Sequence, residues 1–292
     1  MIEIDGATRI YGVIGNPVVH SLSPAMHNLA FQQAGINARY LPFHVKPSHL
    51  TEAVQGFVAQ GVQGFNSTLP HKEALLKLMD WVDSEAMLMG AVNTVRIEPD
   101  GSLSGFNTDA DGFYLAMQSR FPAHMQDAEV IVLGAGGAAR GVLAGLAKGG
   151  VNRITLANRT LSRAEHLLDT MTGPGLAKVD RRAIPLVSEK LPLETCTLIV
   201  NTTSAGMHGE SLSVVDMHRL PPGAVVVDII YIPPCTPFLH AAQKCGLNVL
   251  NGLDMLIYQG ARSFQIWTDM EMPVALVRTH LEHLLGSRAP HA

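Results

Sequence analysis

The sequence predicts an α/β protein of two domains, the second built on a doubly wound parallel sheet, and two observations carry that prediction. Short β-rich runs alternate with helical patterns along the chain, with no internal repeat and no low-complexity segment. Midway, the apolar run Val130–Ile131–Val132–Leu133 breaks into Gly134–Ala135–Gly136–Gly137–Ala138–Ala139, which reads as a buried strand, a tight turn and a helix N-terminus. Glycine there lets backbone N–H groups meet a pyrophosphate, and the positive end of the helix favours the anion. A dinucleotide ligand follows.

With 292 residues, 47% of them hydrophobic and 16% charged, the chain can bury a sizeable core and divide in two. A formal net charge of -4 and the lack of any Lys/Arg cluster count against nucleic acid or an anionic membrane as partner, and leave small molecules. Cys196, Cys235 and Cys245 are widely spaced and form no C-x-x-C, so neither a disulfide framework nor a zinc site is expected. The acidic start Met1–Ile2–Glu3–Ile4–Asp5 and the absence of a long apolar run lead to the expectation of a cytoplasmic protein. No H-E-x-x-H occurs, and the pair His280 and His283 has no nearby third ligand, so no metal is expected.

Taken in order, a first strand from Ile10 to Ile14 ends in Gly15–Asn16–Pro17, and Ser21–Leu22–Ser23–Pro24 then opens a helix to about Ala34. Ser23 is the expected N-cap, with Pro24 in the first turn. A strand from Tyr40 to Val45 precedes a helix over about Ser48 to Gln60; a third strand, Gly64 to Thr68, meets Pro70 and a helix starting near His71. Asn93 to Glu98 and Leu103 to Asn107 form a hairpin around Pro99–Asp100–Gly101–Ser102, since Asp-Gly is a strong turn signal. A helix from Thr108 to about Arg120 ends at Phe121–Pro122, where the domain change is placed. After the glycine turn come a strand over Arg153 to Ala157 and a helix over Ser162 to Met171. Further strands are expected at Ile184 to Val187, Leu198 to Asn201, Val225 to Ile229 and Asn248 to Leu250. The chain closes with helices from Asp254 to about Thr268 and from Val274 to Leu285, which periodicity alone assigns to neither domain.

An NAD-binding turn of this kind is followed, about 20 residues on, by an acid for the ribose 2′-OH, whereas an NADP-binding one carries arginine. Here the strand ends in Asn158–Arg159–Thr160 with no acid, and Arg163 follows one helical turn later, so two guanidinium groups can clamp a 2′-phosphate. NADP is the expected cofactor.

The polar residues Ser21, Ser23, Asn66, Thr68, Asn93, Asn107, Thr108 and Asp109 all fall at or just past strand ends, the edge where open α/β sheets bind ligands. Hydroxyls and amides with a single cation, Lys72, suit a small polyhydroxylated molecule. A hydride delivered to a carbonyl leaves an alkoxide that needs a proton; Lys72 can supply it, with Asp109 to orient and tune the amine.

These motifs resemble those of the shikimate dehydrogenases. The resemblance rests on Ser21–Leu22–Ser23–Pro24–Ala25–Met26–His27–Asn28, Phe65–Asn66–Ser67–Thr68–Leu69–Pro70–His71–Lys72, Gly90–Ala91–Val92–Asn93–Thr94 and Gly105–Phe106–Asn107–Thr108–Asp109. In the second half it rests on Gly134 to Arg140, Asn158–Arg159–Thr160, Asn201 to Met207, Asp228–Ile229–Ile230–Tyr231 and Gly252–Leu253–Asp254–Met255–Leu256, with Gln259 just beyond. It implies a reversible, NADP-dependent reduction of 3-dehydroshikimate to shikimate on the chorismate route to aromatic amino acids, by a monomer or homodimer. It further implies a substrate-binding catalytic domain over residues 1–110, joined by C-terminal helices over 254–292, and a Rossmann-type NADP-binding domain over 111–253, with the substrate in a cleft between them.

By position, the resemblance gives Ser21 and Ser23 the substrate carboxylate, Asn66, Thr68, Asn93, Asp109 and Gln259 the ring hydroxyls, and Lys72 the proton. Tyr231 would line the same pocket, and Ile229 and Gly252 would sit by the nicotinamide. Gly134, Ala135, Gly136, Gly137 and Ala138 would hold the pyrophosphate, and Asn158, Arg159, Thr160 and Arg163 the adenosine end. Two positions depart from the family: Ser67, usually valine and here expected to alter the pocket's polarity, and Gln265 in Phe264–Gln265–Ile266–Trp267, usually glutamate. The alternatives are a paralogue acting on quinate or a related hydroxy acid, and an NADP-sensing module without catalysis.

Overall fold

Alternation of apolar residues on one side with aromatic residues on the other builds the first sheet, seen in a computed structural model that describes residues 3–173, 175–207 and 209–288. The chain forms two units, one ending at Thr108 and taking in Leu256–Arg288, the other running from Asp109 to Met255.

In the first unit the elements are β1 (Arg9–Gly15), α1 (Ser23–Gln33), β2 (Ala38–His44), α2 (Leu50–Ala59), β3 (Gly64–Ser67), α3 (Lys72–Leu75), β4 (Trp81–Val82), α4 (Ser84–Met89), β5 (Thr94–Ile97) and β6 (Leu103–Phe106). They form a mixed sheet in the order β2-β1-β3-β5-β6-β4. One face buries Ile14, Leu50, Val54, Phe57, Phe65, Leu75 and Val95. On the other, Tyr11 and Tyr40 sit side by side on paired strands, with Phe31 and Trp267 against them. Trp267 donates its indole N–H to the Val95 carbonyl at 3.0 Å, and Gly64 leaves room for that ring, since a side chain there would strike it. Trp267 belongs to α9 (Leu253–Thr268), which with α10 (Val274–Arg288) closes the chain.

The second unit runs through α5 (Asp109–Arg120), β7 (Glu129–Leu133), α6 (Gly137–Lys148), β8 (Arg153–Asn158), α7 (Leu161–Thr170), β9 (Asp180–Pro185), β10 (Leu198–Asn201), β11 (Val225–Asp228), α8 (Pro237–Lys244) and β12 (Asn248–Leu250). Its sheet is parallel throughout, in the order β12-β11-β10-β7-β8-β9. Central strands covered on both faces read as unbroken apolar runs, and β7, β10 and β11 do so.

Several expectations need correcting. Leu22, not Ser23, occupies the N-cap of α1; Ser23 is the first helical residue, and its N–H is met by the Ser21 hydroxyl at 3.2 Å. Helix α5 falls in the second unit, so the break comes before it and not at Phe121–Pro122. The reason is packing: Gly141 lies directly on the Asp109 Cβ, and Gly145 approaches the Ala110 carbonyl and the Phe113 ring. The strand expected at Ile184 to Val187 lies earlier, at Asp180–Pro185. It is an edge strand with one neighbour, and polar ties across that edge, Arg153 to Asp180 and Arg182 to Thr155, replace the apolar signal. Composition also gave no sign of β4 and α4, a strand of two residues and a helix of six that Asp83 caps by accepting the Glu85 N–H.

Candidate active site

In the first unit β5 runs antiparallel to both β3 and β6, so its start meets their ends, with Asn66 opposite Thr94 and Thr94 opposite Phe106. The flanking polar residues therefore share one edge. Asn93 anchors them: its Oδ1 accepts from the Thr108 N–H at 2.9 Å and from the Thr94 hydroxyl at 2.9 Å. Its amide orientation is thereby fixed, and its Nδ2 faces the Thr108 hydroxyl at 3.0 Å and Gln259 Oε1 at 3.5 Å.

Asn66 is held more tightly still. Its Oδ1 accepts from the Tyr40 hydroxyl at 2.7 Å, and its Nδ2 lies within 2.9 Å of Thr94 Oγ1, 3.0 Å of Ser263 Oγ and 3.1 Å of the Asn93 carbonyl. Ser263, with no exposed surface, donates to the Gln259 carbonyl of its own helix at 3.0 Å, and its contacts with Asn66 Nδ2 at 3.0 Å and Thr94 Oγ1 at 2.8 Å tie α9 to the strand ends. Neither Tyr40 nor Ser263 is picked out by the sequence. The available signal is Ser263 itself, a polar residue one turn after Gln259 on a helix face that also carries buried Gly260 and Trp267.

Thr68 and Lys72 sit in the turn from β3 into α3. His71, buried beside Lys72, pairs its Nε2 with the Val45 carbonyl at 2.8 Å, and burial lowers its pKa. The Val92 N–H donates to the Lys72 carbonyl at 2.8 Å, so the lysine's backbone is held from two directions.

Ser67 does not belong to this edge. Strand alternation turns it away from Asn66, it pairs with Ile14 of the apolar core, and its hydroxyl reaches only the Thr68 carbonyl, at 3.4 Å. Its expected influence on pocket polarity is therefore revised. Ser67→Val should raise stability by about 1 kcal/mol and leave turnover unchanged, read by thermal denaturation and steady-state rates. Gln265, the other departure, is exposed and bonds to Arg262 at 2.8 Å.

One buried histidine stands behind the network. His27 has no exposed surface and stacks on Tyr40 with ring centres 4.5 Å apart, while Trp267 lies 5.3 Å away. Among the described residues neither ring nitrogen has a hydrogen-bond partner, and burial pushes its pKa down to about 3.

In the second unit the glycine turn has the features a phosphate needs. Gly134 has φ +100°, and a side chain there would meet Thr203 Cγ2 at 2.7 Å and Thr202 Oγ1 at 2.9 Å. Gly136, at the N-cap of α6, faces open space, and neither a side-chain cap nor an acid in the first turn satisfies the helix start. These free N–H groups fit an anion. At the end of β8, Asn158 donates to the Thr160 carbonyl at 2.8 Å, while Arg159 and Arg163 are exposed and no acid stands among residues 158–163. The residues present thus suit a dinucleotide with a 2′-phosphate.

At the end of β11, Gly252 presses on the Ile229 carbonyl so closely that no side chain could replace its hydrogen. The Gly252 N–H donates to the Ile230 carbonyl at 3.1 Å, and half-buried Tyr231 follows. Asp109, 4% exposed, opens α5 in this unit. Among the described residues, no helix is long and apolar enough to cross a membrane, and no cluster of His, Cys, Asp and Glu could hold a metal.

Comparison with known proteins adds a second line of argument. Three family models match in sequence order: a shikimate dehydrogenase substrate binding domain over residues 13–95, shikimate / quinate 5-dehydrogenase over 115–229, and a shikimate 5′-dehydrogenase C-terminal domain over 252–282. The chain is 45% identical to the shikimate dehydrogenase (NADP(+)) of Magnetococcus marinus, over 97% of its own length and 98% of that protein. Among solved structures it is similar to the shikimate dehydrogenase of Aquifex aeolicus, 38% identical with a TM-score of 0.86, covering 96% of this chain and 99% of that one. It is also similar to the Thermus thermophilus shikimate 5-dehydrogenase in complex with NADP(H) and shikimate, 34% identical with a TM-score of 0.82, covering 94% and 99%.

Proposed function

The chain belongs to the shikimate dehydrogenase family, and we infer from this that it is an NADP-dependent oxidoreductase interconverting 3-dehydroshikimate and shikimate, in aromatic amino acid biosynthesis. The observation that carries the reading is the buried set of amides and hydroxyls around Asn66 and Asn93, offered at one strand edge to a ligand rich in hydroxyl groups.

NADPH, when bound, supplies the hydride that reduces the ketone. We assign the chain's own contributions as follows. The hydroxyls of Ser21 and Ser23 hold the substrate carboxylate; Thr68 and Gln259 hold ring hydroxyls, with Asn66 locked among them. Asn93 donates an N–H, as its fixed amide dictates. Lys72 gives a proton to the developing alkoxide and takes it back in the reverse direction, and Asp109 is the second residue we assign to this acid–base chemistry. In the second unit Gly134, Ala135, Gly136, Gly137 and Ala138 receive the pyrophosphate; Asn158, Arg159, Thr160 and Arg163 receive the adenosine 2′-phosphate; Ile229 and Gly252 border the nicotinamide, and Tyr231 lines the substrate pocket.

The test is the change in nicotinamide absorbance with shikimate and with quinate, each against NADP and NAD. Shikimate with NADP should be fastest; a clear preference for quinate with NAD would point to the paralogue, and silence with every pair to a sensing module. Arg159→Ala should raise KM for NADP about tenfold or more and leave NAD nearly unaffected, since a charge-assisted pair to the 2′-phosphate is lost. An unchanged cofactor preference would remove Arg159 from that role.

A further inference from the structure

Asp228 ends β11 with no exposed surface. Its Oδ1 accepts from the Ile230 N–H and from Asn201 Nδ2, both at 3.1 Å, and its Oδ2 accepts from the Thr236 hydroxyl at 2.7 Å. It takes three donors, and no cation pairs with it among the described residues. Burial pushes its pKa up, while the three hydrogen bonds pull it down.

An amide could make the same ties. Its oxygen would accept from Asn201 and Ile230, its NH₂ would donate to Thr236, and burial would cost far less. A carboxylate in this place supplies charge beyond what the hydrogen bonds need.

Topology says where that charge acts. The arginines for the 2′-phosphate stand at the end of β8, on one side of the glycine turn that follows β7. In a doubly wound sheet the two halves of a dinucleotide lie on opposite sides of that turn, which puts the redox-active base over β10 and β11. The oxidised nicotinamide ring carries a positive charge that the reduced ring lacks. We propose that Asp228 is a fixed negative charge by which the second unit holds oxidised NADP in preference to the reduced form. The proposal rests on the cofactor placement given above.

The experiment is calorimetric titration of wild type and Asp228→Asn with NADP⁺ and, separately, with NADPH. The Asn variant should bind NADP⁺ about tenfold more weakly and NADPH nearly as before, the scale of effect expected when one fixed charge is lost near an opposite one in a partly buried site. Asp228→Ser, smaller and still an acceptor for Asn201, gives the same contrast if the Asn variant does not fold. Thr236→Val, which removes a hydrogen bond and leaves the charge, should lower the melting temperature and keep the ratio of the two affinities. Equal weakening of both forms, or no change in folded Asn and Ser variants, overturns the proposal. Failure of wild type to bind either nucleotide overturns the cofactor placement instead.

Discussion

Replacing Lys72 by alanine is expected to lower turnover by about 10²–10⁴-fold, the usual cost of losing a positioned acid–base group, with far smaller effects on the affinity for NADP and shikimate. The lysine opens α3, a helix of four residues that could not hold its own place. Its position comes from the surroundings: the Val92 N–H on its carbonyl at 2.8 Å, the His71 N–H on the Thr68 carbonyl at 3.1 Å and the His71 ring on the Val45 carbonyl at 2.8 Å. None of these bonds uses the lysine side chain. Alanine therefore removes the ammonium and keeps the turn, and the melting temperature should stay near that of wild type. Lys72→Arg should not restore the rate, because a guanidinium keeps its proton too firmly to exchange it with an alkoxide. Steady-state turnover in both directions is the measurement, and near-normal rates in the alanine variant would take the proton from Lys72.

What the sequence made legible was local. Gly134 to Ala139 is contiguous, and its strand, turn and helix follow from that stretch alone. Asn158–Arg159–Thr160 is read the same way, as is the hairpin closed by Asp100–Gly101. The strand-end polar residues could be noticed in the chain, but their mutual bonding could not. Asn66 and Ser263 meet across 197 positions, and Tyr40 reaches Asn66 across 26, so no window of sequence contains either pair. Edge strand β9 is expected a few residues late, at Ile184 to Val187, because hydrophobic periodicity measures burial and the start of a strand with one neighbour has little of it. The placement of the C-terminal helices is likewise a tertiary fact. Phe264 and Trp267 belong to a buried aromatic cluster with Phe31, Tyr11 and Tyr40, and only the folded chain shows which rings they meet.

The second large effect is acid lability centred on His27. In the folded protein its ring is neutral, since burial with no hydrogen-bond partner among the described residues drives its pKa down to about 3, whereas in the unfolded chain it titrates near the ordinary histidine value of 6.5. Below that upper value the unfolded state binds a proton that the folded state refuses, so stability falls as pH drops from about 6.5 toward 3. The full shift corresponds to at most about 5 kcal/mol, a large fraction of the stability of an ordinary domain. His71, whose pKa burial also lowers, adds in the same direction, while Asp228, whose pKa is raised, opposes it. His27→Phe isolates the one contribution. A phenyl ring keeps the stack on Tyr40 and the contact with Trp267 and carries no nitrogen to protonate. Urea denaturation across this range should show the variant at least as stable as wild type near neutrality and ahead of it by several kcal/mol near pH 4. Two parallel stability profiles would refute the assignment.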